Sequence, residues 1–518
     1  MTTSTSPGPK GTVPEPPPVN VTPPFGEGGR GAKDGLRAVA DAVRARYGED
    51  AILTDRQQLR TYECDGLAAY RVVPGLVVFA RDTEQVAAAI RACHEHGVPF
   101  VARGSGTGLS GGALPHAEGV LLVTAQMREV LAVRAEDERA VVQPGVINLA
   151  VTGAAAPHGY YFAPDPSSQQ VCSIGGNVAE NSGGAHCLKY GFTTNHVLAV
   201  EFVTPQGEVE RLGTMAPDAP GYDLLGTVVG SEGTLGVVTE ATVRLVRKPE
   251  AVRTLLAGFE TTDAAGAATS AIIGAGVLPA AIEIMDGLAM EAAEAAVHVQ
   301  YPAGAGAVLI VEVDGPAAEV EAEFAQAVRL CEESGAIAIQ VAADDTERAL
   351  IWKGRKSAFA AVGRISPDYI VQDGVIPRTA LSEVLREMKR LADEAGVRVA
   401  NVFHAGDGNL HPLVLFDGGR QGETERAEEV SAQILALCLA HGGSITGEHG
   451  VGSDKAKHMP KMFTAEDLDT MQLVRCAFDP SGLANPGKIF PTPRLCGERP
   501  GRGTGPHPLQ QAGVAEVF

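Results

Sequence analysis

The chain has no C-x-x-C pair, no long apolar run, a single tryptophan and a shortage of positive charge. Each absence removes a class of protein. Its eight cysteines, Cys64, Cys93, Cys172, Cys187, Cys331, Cys438, Cys476 and Cys496, are scattered, which argues against a zinc ribbon or iron–sulfur cluster held by this chain alone. For most of them, buried or free thiols in a reducing cytoplasm are expected instead. No stretch approaches the roughly 18–20 apolar residues of a membrane-spanning helix, and the N-terminus shows no signal-peptide core. A cytoplasmic protein is expected, peripheral at the inner face of the cell membrane only through partners and without direct insertion. Lysine and arginine number 42 against 63 aspartates and glutamates, a formal charge of −21. Such a surface repels phosphate backbones, so nucleic acid is excluded as a partner. An anionic substrate would need local positive charge against the field of the whole molecule.

What is present is a long, ordinary globular composition. With 518 residues, 45% hydrophobic and 20% charged, two or three folding units are expected. Residues 1–32 and 492–518 carry proline- and glycine-rich runs such as PEPPPVNVTPP and GERPGRGTGPHP and read as disordered tails. Residues 34–47 have the helical spacing Leu36, Val39, Val43 and Tyr47, with Asp34 as N-cap. Strand signals follow at 76–80, 98–104, 119–123, 140–145, 199–204 and 236–246, with a capped helix from Asp82 or Thr83 to Gly97 between the first two. From about residue 250 the texture becomes that of a layered α+β unit.

The 62 glycines cluster. One block is Arg103-Gly-Ser-Gly-Thr-Gly-Leu-Ser-Gly-Gly112. A second is Pro164-Asp-Pro-Ser-Ser168 followed by Ser173-Ile-Gly-Gly-Asn-Val-Ala-Glu-Asn-Ser-Gly-Gly184. A third is Gly230-Ser-Glu-Gly-Thr-Leu-Gly236. Glycine lets backbone N–H groups approach a ligand and form an anion-binding nest suited to pyrophosphate. Residues 104–109, GSGTGL, miss the last glycine of the Rossmann fingerprint, and no Gly-Lys-Ser/Thr follows to make a P-loop. A dinucleotide held in some other way is indicated.

Taken together, LVVFARDTEQVAAAI, VPFVARGSGTGLSGGA, APDPSS, SIGGNVAENSGG and GSEGTLGVVTE resemble the vanillyl-alcohol-oxidase (PCMH) type of FAD-linked oxidase over roughly residues 35–491. The resemblance implies an α+β fold. Residues 33–249 would form a two-subdomain FAD-binding domain of the PCMH type. Residues 250–491 would form an α+β substrate or cap domain with a ferredoxin-like sheet and helices, whose last segment, about 440–491, returns to the flavin. It also implies FAD contacts from Arg103, Gly104, Ser105, Gly106, Thr107, Gly108, Pro164, Asp165, Ser168, Gly175, Gly176, Asn177, Asn181, Gly183, Glu232, Gly236, Val237 and Asn485. No histidine lies within residues 103–112, so non-covalent FAD is expected.

A second constellation is Asn401-Val-Phe-His-Ala-Gly-Asp-Gly-Asn-Leu-His-Pro-Leu-Val-Leu-Phe416. Asp407-Gly408 between apolar runs predicts a two-residue type I′ hairpin turn. That turn would set His404 directly opposite His411 on one face, close enough to share a divalent metal. Glu448, in Thr446-Gly-Glu-His-Gly450, could complete a two-His, one-carboxylate set suited to zinc, manganese or iron. HAGDGNLH with GEHG resembles the D-2-hydroxy-acid dehydrogenase branch of these flavoproteins, and YECDGLAAYR and GRISPDYIVQDGVIPR resemble its glycolate-oxidising members. The resemblance implies that His404, His411 and Glu448 hold the metal. It makes His449 the catalytic base and Arg355 the grip on the substrate carboxylate. Val371 and Leu413 stand where relatives acting on larger diacids carry Lys and a polar residue, which implies a small acid such as glycolate or D-lactate. A second flavin-domain-like subunit and an iron–sulfur subunit are the implied electron partners. The alternatives are a stand-alone D-lactate or D-2-hydroxy-acid dehydrogenase with a soluble acceptor, an ether-lipid synthase on the same fold, and a non-catalytic flavin-binding subunit.

Overall fold

The computed structural model describes residues 30–214 and 221–491. The expected tails lie outside these residues, apart from 30–32. Those three belong to the first helix, α1 (Arg30–Tyr47), so Asp34 sits inside the helix and does not cap it. The physical reason is that the apolar stripe extends back one turn: Ala32 is half-buried in line with Leu36, Val39 and Val43.

Three larger sheets follow, beside a two-stranded one that pairs Tyr160–Tyr161 with Val246–Arg247. The first joins β1 (Ile52–Leu53), β2 (Leu76–Phe79), β3 (Phe100–Arg103) and β4 (Val120–Val123) in the order β1-β2-β4-β3. Its three longer strands are parallel. Helix α2 (Thr83–Glu95) makes the crossover from β2, capped by Asp82, whose carboxylate accepts the Gln85 N–H. Val86, Ala89, Ile90 and Cys93 form its buried stripe, the 3.6-residue spacing of a helix that covers a sheet. The second sheet holds β5 (Val130–Arg134), β6 (Arg139–Val142), β7 (Val197–Val203), β8 (Val209–Gly213) and β9 (Val237–Arg244) in the order β5-β6-β9-β7-β8, all antiparallel. The short helix α3 (Ile174–Glu180) packs on β9. Glycine blocks run out of β3, into α3 and into β9, so all three are carried to the seam between these two sheets.

The third sheet belongs to the cap. Here β10 (Ala251–Phe259), β11 (Ala281–Asp286), β12 (Ala307–Gly315) and β13 (Ala338–Val341) lie in the order β13-β10-β12-β11, the antiparallel fourth-first-third-second order of a ferredoxin-like unit. The expected α+β architecture, a two-subdomain flavin domain with a ferredoxin-like cap, is the one observed. Beyond it, β14 (Asp368–Val371), β15 (Gly374–Val375), β16 (Arg398–His404), β17 (Asn409–Leu410) and β18 (Pro412–Phe416) extend the sheet from β11 through β16.

Residues alternate strictly between two cores. Leu255, Ala257 and Phe259 face a layer containing α4 (Thr262–Gly274), α6 (Ala317–Glu333), α8 (Leu381–Ala395) and α9 (Glu423–Ala440). Leu256, Met285, Val402 and Leu413 face α5 (Gly287–Val297) and α7 (Asp345–Val362). Because the side-chain period of a strand is two, Glu283, His404 and His411 must share the α5/α7 face with Met285, Val402 and Leu413.

The chain then returns to the flavin domain. Helix α10 (Ala465–Phe478) sets Phe478 against Phe202. Leu483 and Ala484 join the core of the first sheet, with Ala484 bridging Phe100.

Candidate active site

The hairpin that carries both imidazoles departs from the expected register. His404 pairs with Asn409 and Asn401 with Pro412, so the turn spans four residues, 405–408. The Gly406 N–H is donated to Ile282 O of the neighbouring strand and so is not free to close a two-residue turn onto residue 409, while Gly408 O accepts the Ile376 N–H. Asp407 accepts the Asn409 N–H at 3.1 Å, and Gly408 takes φ +81°. The register therefore moves by two residues, and His411 opposes Val402 instead of His404. A two-residue shift preserves the face. The two imidazoles are diagonal neighbours, with ring centroids 5.0 Å apart.

Glu448 reaches them from the loop that follows α9. Its Oε1 lies 3.3 Å from His404 Nε2 and 3.2 Å from His411 Nε2. His404 Nε2, His411 Nε2 and Glu448 Oε2 are buried without a hydrogen-bond partner. Two imidazole nitrogens and the Glu448 carboxylate brought together, with no donor between them, fit a cation. The second shell agrees: Glu283 Oε1 lies 2.7 Å from His404 Nδ1, which fixes the tautomer that leaves Nε2 for a metal. Burial opposes charge on His404, but Glu283 and Glu448 outweigh it and raise its pKa, the same pull that would draw a metal cation to Nε2 in place of a proton. Burial likewise works to raise the Glu448 pKa, yet His404 and His411 bring it down to about 2.

Asp373 organises the loop. It is fully buried and accepts the Thr446 hydroxyl and the N–H groups of Gly447, Glu448 and His449. Lys455 Nζ lies 3.2 Å from Oδ2. Burial would raise the Asp373 pKa, but Lys455, His449 and His411 hold it well below the ordinary range. His449 is stacked on His411, 4.8 Å between centroids and 3° between planes. Burial pushes its pKa down to about 4, so the ring is neutral and able to accept a proton.

Arg355, on α7, is only 2% exposed, and its Nε donates to Glu283 Oε2 at 2.6 Å. It is a buried cation shared with the histidine centre, unlike the exposed basic cluster that WKGRK suggests. It does not line the open cleft.

That cleft, about 710 Å³, runs along the seam of the two flavin-domain sheets and ends at Glu448 and His449. Its walls include Arg103, Gly104, Ser105, Gly106, Thr107, Gly108, Ser168, Gly175, Gly176, Asn177, Glu232, Gly236 and Val237. The structure thus brings members of all three glycine blocks together. Ser173 Oγ and both polar atoms of the Asn177 side chain are buried there without partners. A Cβ on Gly104 would fall 2.1 Å from Ser173 Oγ, and Gly106 takes φ +67°. The volume, the bare backbone and the orphaned polar atoms fit a dinucleotide cofactor.

Five expected cofactor contacts stand back from the cleft. Pro164 O accepts Asn148 Nδ2, and the Asp165 carboxylate is turned to His186. Asn181 closes α3 at φ 51°. Gly183 backs onto Glu448, where a Cβ would lie 2.7 Å from Oε2. Asn485 Nδ2 donates to Gly112 O and Glu232 O, tying the returning segment to two glycine blocks. Sequence reasoning missed Glu283, Asp373 as an organiser, and Lys455. Glu283 lies within the continuous apolar strand AIEIM, where a lone acid is itself a signal of a buried partner.

These features define a class. The family model "FAD linked oxidases, C-terminal domain" matches residues 248–489, and "FAD binding domain" matches residues 74–213. The chain belongs to the FAD-linked oxidases, flavoprotein oxidoreductases that bind FAD. It is 52% identical over 461 residues to the glycolate oxidase subunit GlcD of Escherichia coli strain K12, covering 89% of this chain and 92% of the relative. It is 33% identical over 435 residues to a D-lactate dehydrogenase of Anaerostipes hadrus, covering 82% and 91%. Among solved structures, p-cresol methylhydroxylase with substrate bound superposes with a TM-score of 0.75 at 16% identity, over 88% of this chain and 97% of the other. That likeness concerns the fold.

Proposed function

We propose that the chain oxidises a small D-2-hydroxy acid, glycolate or D-lactate, to the 2-oxo acid. The observation that carries this reading is the convergence of His404, His411 and Glu448 on one point, with His449 at the inner end of the FAD cleft. The cleft residues would hold FAD, which would supply a two-electron acceptor for the hydride from the substrate C2. A divalent ion held by His404, His411 and Glu448 would supply Lewis acidity of the kind that lowers the pKa of bound water from 15.7 to about 7.

The chain's own groups do the rest. Neutral His449 accepts the proton of the 2-hydroxyl as general base. Arg355, paired with Glu283 and one turn before the cleft-lining Phe359, supplies its positive charge to the substrate carboxylate from behind the cleft wall. Asp373 holds the backbone of residues 446–449, and so the base, in register with the hairpin. Val371 lines the cleft and directly opposes Leu413 on the next strand. Together with Phe359, edge-on to His411 at 5.8 Å, Val371 gives this stretch of the wall an apolar face, with Leu413 buried beside it. Electrons leave to a second flavin-domain-like subunit and an iron–sulfur subunit on the cytoplasmic side of the membrane. In support, the E. coli relative is named as a subunit, and no helix among the described residues is long and apolar enough to cross a membrane.

Anaerobic titration of metal-analysed protein, followed by the flavin spectrum, tests this. Glycolate and D-lactate should bleach the flavin. L-lactate and D-2-hydroxyglutarate should do so poorly. A flavin that none of the four reduces would end the proposal.

A further inference from the structure

The Asp165 carboxylate, which sequence reasoning assigned to the cofactor, is committed elsewhere. It accepts the His186 backbone N–H at 3.2 Å and lies 2.9 Å from His186 Nδ1. The other ring nitrogen, Nε2, faces Glu312 Oε1 at 3.4 Å across the boundary with the cap. Glu312 stands on β12 and is 1% exposed. It also accepts both Arg348 Nε and Nη2, at 2.8 and 2.7 Å, Trp352 Nε1 at 2.7 Å and Thr254 Oγ1 at 2.6 Å. The His186 ring stacks on Trp352, 5.7 Å between centroids and 29° between planes. One residue pair further along β12, Asp314 receives Lys189 Nζ and Tyr190 OH, at 2.6 and 2.7 Å.

Three flavin-domain side chains thus grip alternate residues of one cap strand. Trp352 lies one turn before Arg355 and Lys356 on α7. Lys356 lines the flavin cleft, with its Nζ 3.9 Å from Asp165.

We propose that His186 is a positioning residue: an imidazolium strut that locks the cap to the flavin domain and fixes α7, and with it Arg355, against the cleft. An imidazole that meets a carboxylate at each nitrogen donates to both only when protonated. A neutral ring would leave Asp165 and Glu312 confronting each other across the boundary with one donor between them. Burial opposes the charge, but Asp165 and Glu312 push the His186 pKa up to about 10. The strut is a fixed charge at physiological pH.

The test uses the flavin-loaded full chain with His186→Gln. Because Trp352 is the only tryptophan, its emission reports the clasp directly, an indole freed from a stacked imidazolium being less quenched. The expected result is brighter emission and a KM for the hydroxy acid raised about tenfold. The kcat should stay within about threefold, the signature of binding lost equally from ground and transition states. Asp165→Asn should reproduce both changes, and the double variant should be no worse than either single one, because the groups act as one unit. Asp165→Asn loosens the strut without deleting a ring and so carries the test if His186→Gln cannot be obtained with flavin bound. Wild-type KM and emission in these variants, or single effects that multiply in the double variant, would overturn the proposal. The kinetic arm rests on the hydroxy-acid reading and the emission arm does not. A wild-type protein inert to every hydroxy acid sinks that reading, while unchanged emission sinks the strut.

Discussion

The flavin cleft and the histidine centre meet at Glu448, but they are made of different materials. The cleft is largely backbone: glycine loops whose N–H groups and positive φ angles shape a trough, with few side chains committed to it. The centre is side chain almost throughout. Glu283, Arg355, Asp373, His404, His411, Glu448, His449 and Lys455 are charged or titratable groups drawn from strands, a helix and a loop, and nearly all are buried. A backbone site withstands the loss of one contact because its neighbours remain. A buried ionic site does not, because each group removed leaves another unpaired in a medium that cannot solvate it. The cleft should therefore degrade gradually and the centre all at once.

The largest expected effect is at the base. His449→Ala should slow anaerobic flavin reduction by about 10²- to 10⁴-fold, while the absorbance of bound FAD is unchanged. A reduction rate close to wild type in stopped-flow would remove His449 from its role. Chelation comes next. Dialysis against a strong chelator should abolish hydroxy-acid oxidation and leave the flavin in place, with activity restored by one of zinc, manganese or iron. If FAD and metal leave together, the two regions are not separable in the way their construction implies. Gly106→Ala acts on the cleft alone. A Cβ there meets the Arg103 guanidinium at 2.2 Å and sits at φ +67°. The left-handed penalty of roughly 1–2 kcal/mol corresponds to FAD affinity weakened about tenfold. Metal content, measured by elemental analysis, should not change.

The same contrast decides what could be read from the sequence. Glycine blocks are contiguous, so the cleft was legible as motifs, and the cap's strand and helix periodicities were legible as an α+β unit. The grouping of His404, His411 and Glu448 was legible because HAGDGNLH and GEHG are local. The hairpin register was misjudged by two residues because the tertiary hydrogen bond from the Gly406 N–H overrides the turn preference of Asp407-Gly408. The face of each histidine survived that error, since parity is all that a two-residue slip conserves. Glu283, Asp373 and Lys455 were not assigned. Glu283 stands 121 residues from the His404 it orients, and no local spacing encodes that partnership. Asp165 fails in the opposite sense. Its motif is local, but its carboxylate serves a contact with the cap that the motif does not reveal.

An effect on stability alone, with no loss of activity or cofactor, sharpens the point about buried charge, because two of the cap's buried aspartates have opposite fates. Asp373 has a lysine beside it and stays ionised. Asp286, at the end of β11, caps α5 through the Ala289 N–H and accepts both the N–H and Nδ2 of Asn401, at 2.9, 2.8 and 2.8 Å. Burial nevertheless prevails over these hydrogen bonds, and its pKa is pushed up to about 6, against about 3.9 in an unfolded chain. The folded state therefore holds a proton that the unfolded state has released between those values. Its contribution is fully present below about pH 4 and is lost as pH rises through about 6. Asp286→Asn has no such proton to lose. Its stability relative to wild type should improve between pH 4 and pH 7 by up to about 2–3 kcal/mol, read from denaturant unfolding of the flavin-loaded protein at the two pH values. Asn401 then faces an amide in place of a carboxylate, so the variant starts lower at pH 4, and only the change in the difference is diagnostic. A difference constant with pH would mean that three amide donors suffice to keep a buried aspartate ionised, and that Asp373 has no need of Lys455.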